Sequence, residues 1–250
     1  MQARDIHEVI TLLEGIIADA THAGSPLGYF PALYKRVTVS VRDKINAGYF
    51  DDGPRMERLD TTFANRYLAA YDAFHSGRAD SPSWQLAFEA AGRRELIVLQ
   101  HLFAGMNAHI GLDLAIAAAA VAPGDSIYQL KGDFFKINEV LGNLVNTVQD
   151  ELSVIWPMMR WIDRIGKRMD ESLAIFSMDV ARDAAWQLAC ELAALPDQAA
   201  RDAAIAAKDV RVTAFGGKLI NPGFLLNVVR VVVRLTERGN VPHKISTLNA

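Results

Sequence analysis

Between Gly105 and Ala122 the chain reads GMNAHIGLDLAIAAAAVA, an apolar run broken by His109 and, four residues later, Asp113. Apolar side chains begin further back, at Leu96, Val98, Leu99, Leu102, Phe103 and Met106. At about 100° per residue, these and Ile110, Leu112, Leu114 and Ile116 point in nearly every direction around a helix. A helix that is apolar all round is buried all round. The segment from Arg94 to Val121 is therefore expected to be a central helix with the others packed around it. Ala104, Gly105, Ala108 and Gly111 would let neighbours approach closely. Each glycine destabilises a helix interior by up to about 1 kcal/mol relative to alanine, so close packing or room for a ligand has to offset it.

The rest of the chain carries the same periodicity. Helices are expected over Ala3 to Ala20, Phe30 to Ala47, a start at Asp52-Gly53-Pro54 running to Phe74, Trp84 to Ala91, Ser126 or Asp133 to Leu152, Glu171 to Leu195, Ala199 to Lys208 and Phe224 to Glu237. Pro157 is expected to kink or restart the chain, and FGGKLINPG reads as a loop. Only YKRVTVSV and DVRVTAF have strand-like composition, and the first lies in a helical frame that overrides its β-branched content. No repeat or long linker divides the chain. The expectation is all-α: one globular domain over residues 1–250, about eight to ten helices around the central one.

Composition narrows the function classes. The 250 residues are 51% hydrophobic with a net charge of −3, and no basic run of the kind that holds nucleic acid is present. The single cysteine, Cys190, sits in a helical apolar pattern and excludes an intrachain disulfide or a cysteine-based zinc site. The charged, amphipathic start MQARDIHEVI does not read as a signal peptide, and LDLAIAAAAVAPG is too short to span a bilayer. A soluble, cytoplasmic protein without a membrane span or nucleic-acid partner is expected. Assembly into a homo-oligomer is compatible with this composition.

His109 and Asp113 share one helix face. A buried aspartate has to be paired, hydrogen-bonded, protonated or metal-bound. His101 lies two turns earlier and about 80° around, and Asn107 points nearly opposite. Other inward polar residues are Asp60, on one stripe with Tyr67 and Tyr71; Asp133, with Ile137, Val140 and Leu144; and Arg182, with Met178, Trp186 and Ala189. Three readings of the pair stay open: two ligands of a divalent metal such as zinc, iron or manganese, an acid–base dyad, or a hydrogen-bonded pair that only orients helices. Arg182 would anchor an acidic substrate group or pair with Asp60, Asp113 or Asp133. Gly216-Gly217-Lys218 lacks the spacing of a phosphate loop, and no nucleophile-elbow, zincin or dinucleotide motif occurs.

RLDTTFANRYLAAYDAF, AGMNAHIGLDLAIA, GDFFKINEVL and ARDAAWQLA together resemble an uncharacterised bacterial family of helical proteins, a domain of unknown function, over about Tyr29 to Leu195. That resemblance supplies a family and no activity. A second is to the all-α zinc-dependent phospholipase C and single-strand nuclease fold, whose buried helices carry H-x-x-x-D pairs similar to His109 with Asp113. The chain lacks a second such pair and an N-terminal tryptophan ligand. What that fold implies is at most a one- or two-metal site drawn from His101, His109, Asp113, Asp133 and Asp60.

The reading that joins these features is a small-molecule enzyme with a pocket beside the central helix. His109, Asp113, Asp133 and Arg182 would act on the substrate. Asp60, Tyr67, His101, Phe103, Met106, Phe134 and Trp186 would line a site for a largely hydrophobic molecule. Hydrolysis, or a lyase or cyclisation step of specialised metabolism, fits that set. The alternatives are a binding protein for a hydrophobic ligand and a structural or oligomerising helical protein.

Overall fold

A central helix runs from Val98 to Val121 and is mostly buried inside the protein. The computed structural model describes residues 1–78, 81–155, 178–221 and 223–250, with backbone alone for 143–154 and 224–229. In chain order the helices are α1 (Ile6–Ala23), α2 (Tyr29–Asn46), α3 (Gly53–His75), α4 (Pro82–Glu89), α5 (Val98–Ala108) and α6 (Leu114–Val121). They continue as α7 (Ile127–Ile155), α8 (Met178–Ala194), α9 (Gln198–Ile220), α10 (Phe224–Thr236) and α11 (Val241–Leu248). No strand occurs among the described residues. The chain is all-α, and YKRVTVSV and DVRVTAF both lie inside helices.

Helix starts follow local chemistry. Asp5, Asp52, Asp197 and Asn240 each accept from a backbone N–H three residues on, satisfying a donor that the first turn leaves free. Pro54, Pro82 and Pro242 occupy the first helical turns, where the missing N–H has no intrahelical role. The start at Asp52 matches the sequence expectation. The Asn240-Val241-Pro242 start of α11 carries the same signal, yet it adds a last helix the periodicity does not announce.

The central rod is one helix with a flaw. Residues His109–Asp113 form a π turn between α5 and α6, and the N–H of Leu114 bonds to the carbonyl of His109, five residues back. α2, α4 and α9 pack around α5, and α3 and α8 around α6; α3, α8 and α9 all reach the π turn. By length and composition this is the one described helix apolar enough to cross a membrane, a length that the fragment LDLAIAAAAVAPG alone conceals. Protein surrounds most of it.

Close packing accounts for the glycines. A Cβ on Gly105 would lie 2.6 Å from the Phe30 ring of α2, and one on Gly111 would lie 3.3 Å from Val212 of α9. The same cause corrects the expected loop at FGGKLINPG. α9 continues through Gly216 to Ile220, because α4 and α5 press there: a Cβ on Gly216 would meet Leu86 at 2.8 Å and the Asn107 amide at 3.0 Å. Asn107 also donates to the carbonyl of Val212, holding α5 against α9. The short helix expected over Trp84 to Ala91 starts two residues earlier and ends in a 3-10 turn, Ala90–Gly92. Pro157 and residues 171–177 of the expected Glu171 to Leu195 helix lie outside the described residues.

Candidate functional site

The π turn carries both residues of the opening motif. His109 is 2% exposed and Asp113 0%. His109 Nδ1 lies 3.3 Å from Asp113 Oδ2. The indole N–H of Trp84, from α4, donates to the same oxygen at 2.8 Å, and Arg66 Nε of α3 donates to Oδ1 at 3.1 Å. Three elements therefore pin one carboxylate. Donors to a carboxylate have to carry hydrogen, so His109 is protonated on Nδ1 when neutral, and its Nε2 presents a lone pair. Nε2 is buried and has no hydrogen-bond partner.

Aromatic rings enclose the imidazole. Phe63 stacks on it at 3.5 Å, 7° from parallel, and Tyr34 meets it edge-on at 4.6 Å. Phe30, Trp84 and Tyr67 stand further out, at 5.7, 5.8 and 6.3 Å between ring centres. Burial pushes the His109 pKa down, and the bond to Asp113 only partly restores it. The imidazole is neutral near pH 7 and keeps one basic nitrogen in an apolar shell.

A cleft opens beside this shell. Pro26, Leu27, Phe30, Tyr67, Trp84 and Phe88 form much of its wall, with His101 and Gly105 from α5. Its volume of about 20 Å³ holds one or two water molecules. Three of its walls, Phe30, Tyr67 and Trp84, also face His109. His101 packs edge-on against Tyr29 at 5.6 Å, and burial pushes its pKa down to about 4.

Of the residues the sequence nominated, His109, Asp113, Tyr67 and His101 are at or beside this centre. Asp60 is buried on α3 one turn before Phe63; burial pushes its carboxyl up to about 7, with Glu57 adding to the effect. Others have different duties. Asp133 accepts from the backbone N–H groups of Asp51 and Asp52 at 2.8 and 2.9 Å, fixing the loop before α3, with Lys136 at 3.3 Å. Burial raises its pKa, and those donors outweigh it, leaving a net lowering.

Arg182 makes no ion pair with Asp60, Asp113 or Asp133. It donates to the Asn138 side chain and the Phe134 carbonyl, and its guanidinium lies 4.7 Å from the Phe134 ring centre. Burial pushes its pKa down to about 10, so it stays charged at neutral pH. Phe134 and Trp186 pack on each other at 5.0 Å within the α6–α7–α8 core, which Phe103 and Met106 also flank. These four do not join the shell of His109.

Trp84, Arg66, Phe63, Tyr34 and Phe30 complete the site and were not singled out by periodicity. One signal existed: a buried indole N–H and a buried carboxylate each require a partner.

A metal is poorly served here. Trp84 and His109 both face Asp113 Oδ2, and a guanidinium occupies Oδ1. Among the described residues no group of three His, Cys, Asp or Glu side chains could hold an ion. This donor set suits a proton.

Fold and site define an all-α domain built on a central helix interrupted by a π turn, with a buried His–Asp pair. The chain belongs to the family of unknown function DUF5995, whose model matches residues 6–222. No curated protein and no solved structure matches it significantly. The likeness to the zinc-dependent phospholipase C fold draws neither support nor opposition from these comparisons.

Proposed function

We propose that the protein is an enzyme performing general acid–base chemistry on a small, largely apolar molecule, with Nε2 of His109 as the proton acceptor and donor. One observation carries this reading. The imidazole is locked through Nδ1 to a carboxylate that Trp84 and Arg66 hold in place, while Nε2 is buried and unpartnered. A carboxylate behind a histidine fixes its tautomer and stabilises the imidazolium formed during proton transfer. The π turn supports the reading, since such turns inside α-helices are frequent at functional sites. A hydrolysis, elimination or cyclisation would each use that proton transfer.

The cleft at Phe30, Tyr67 and Trp84 is the route for the substrate. A molecule larger than a few atoms has to turn these walls aside. A screen of apolar esters, lactones and unsaturated acids against the intact protein tests the proposal, with His109→Gln and Asp113→Asn beside it. Turnover that falls roughly 10²- to 10⁴-fold in folded His109→Gln is expected. A substrate processed equally by all three proteins would overturn it. The aromatic walls also favour a second reading, a carrier for an apolar ligand; there, binding without turnover would survive His109→Gln.

A further inference from the structure

Of the buried polar atoms that lack a hydrogen-bond partner, four belong to His109 Nε2, Tyr34 Oη, Tyr67 Oη and Asp60 Oδ2. They belong to one neighbourhood. The Tyr34 ring lies 4.6 Å from the His109 ring and 6.1 Å from the Tyr67 ring. Asp60, Phe63 and Tyr67 follow one face of α3, and Phe63 is the ring stacked on His109. After burial, the charges of Asp60 and Asp113 are the next causes that raise the Tyr34 phenol, against a smaller lowering by the Thr38 hydroxyl, so Tyr34 feels both carboxyls. The other charged groups nearby are Glu57, on Asp60's own helix, and Arg66, which faces Asp113. Native proteins seldom keep several buried polar atoms unsatisfied together, and ordered water is the usual partner of such atoms.

We propose that Asp60 and Tyr34 are relay residues that supply and remove the proton of His109 Nε2 through internal water. The inference rests on the acid–base reading of His109 and extends it. The protonated Asp60 carboxyl gives its proton to water or to Tyr34 Oη. Each oxygen in the line passes one proton on, and Nε2 takes the last. Asp60 ends as a carboxylate, Tyr34 is again a phenol, and His109 is an imidazolium facing Asp113. The reverse transfer resets the site without proton exchange with the bulk.

The test is ¹⁵N NMR of the histidine rings in the full-length protein, with Asp60→Asn and Tyr34→Phe, joined to a crystal structure fine enough to show water. The relay predicts that the His109 Nε2 resonance of the wild type is that of a hydrogen-bonded lone pair. It should move downfield in Tyr34→Phe, with helix content unchanged. Water should link Asp60, Tyr34 and Nε2 in the crystal. An unmoved Nε2 resonance, or a dry core between the three residues, overturns the relay. The outcomes separate from those of the parent proposal. Turnover lost in His109→Gln with an unmoved Nε2 resonance sinks the relay alone. A moved resonance in a protein whose turnover ignores His109 keeps the hydrogen-bonded line and sinks the acid–base reading, and with it the relay's part in turnover.

Discussion

Asp60 is a carboxyl that the fold holds at a disadvantage. It is 8% exposed, one oxygen has no partner, and burial pushes its pKa from 3.8 up to about 7. The unfolded chain ionises this group above about pH 4 while the native state retains the proton. The share of stability linked to Asp60 is thus intact below pH 3.8 and is lost as pH rises through 7. Asp60→Asn removes the titration and keeps the shape. It is expected to stabilise the protein by up to about 4 kcal/mol at pH 8 and by less than about 1 kcal/mol at pH 4. Urea unfolding at the two pH values measures both. A stabilised but slower variant would match a functional group kept at the expense of stability. At this scale the sequence revealed which polar residues point inward: Asp60, Asp113, Asp133 and Arg182 are all buried. It could not reveal where each side chain ends, because that depends on neighbours distant in the chain. Trp84 reaches Asp113 across 29 positions, and Asp133 reaches Asp51 across 82.

Individual helices were legible wherever caps and periodicity agree, as at Asp52-Gly53-Pro54. They were illegible where packing overrides local propensity. Gly216-Gly217 reads as a breaker, yet α9 passes through it because α4 and α5 lie against one of the two glycines. The π turn was equally hidden, since a uniform 100° wheel cannot register the inserted residue. These contacts fix the sign of two glycine substitutions. A Cβ at Gly105 would strike the ring and Cβ of Phe30 at 2.6 to 3.1 Å, positions that cannot yield without moving α2. Gly105→Ala should destabilise by about 1–3 kcal/mol despite the better helix propensity. Gly217 has nothing within 4 Å of a Cβ, so Gly217→Ala should stabilise by about 0.5–1 kcal/mol. Thermal melts of the two variants decide the matter; a gain at Gly105 would mean that α2 and α5 separate in solution enough to admit a methyl group. Asp133→Asn belongs to the same scale. It keeps the shape but replaces one of the two acceptor oxygens for Asp51 and Asp52 with an NH2 donor and removes the charge beside Lys136, and a loss of roughly 1–3 kcal/mol with faster amide exchange at residues 51 and 52 is expected.

For the molecule as a whole, burying the central helix means burying its histidines as neutral bases. His101 titrates near 4, driven by desolvation and by Arg234 and Lys244, and His109 is also held below its ordinary value. Between pH 6.5 and 4 the unfolded chain binds a proton on His101 that the native chain refuses, and His109 acts in the same direction. The share of stability linked to His101 is therefore present above pH 6.5 and falls as the solution is acidified through that window. For His101 alone the loss amounts to about 2 kcal/mol at pH 5. His101→Gln removes that share without adding a charge. Its unfolding free energy should vary less between pH 7 and pH 5 than that of the wild type, by about the same 2 kcal/mol. Denaturant titrations at several pH values supply the two slopes. Parallel curves would show that water reaches His101 through the cleft it lines and lets it protonate in the folded state, so that the cleft is wetter and wider in solution than its static volume implies.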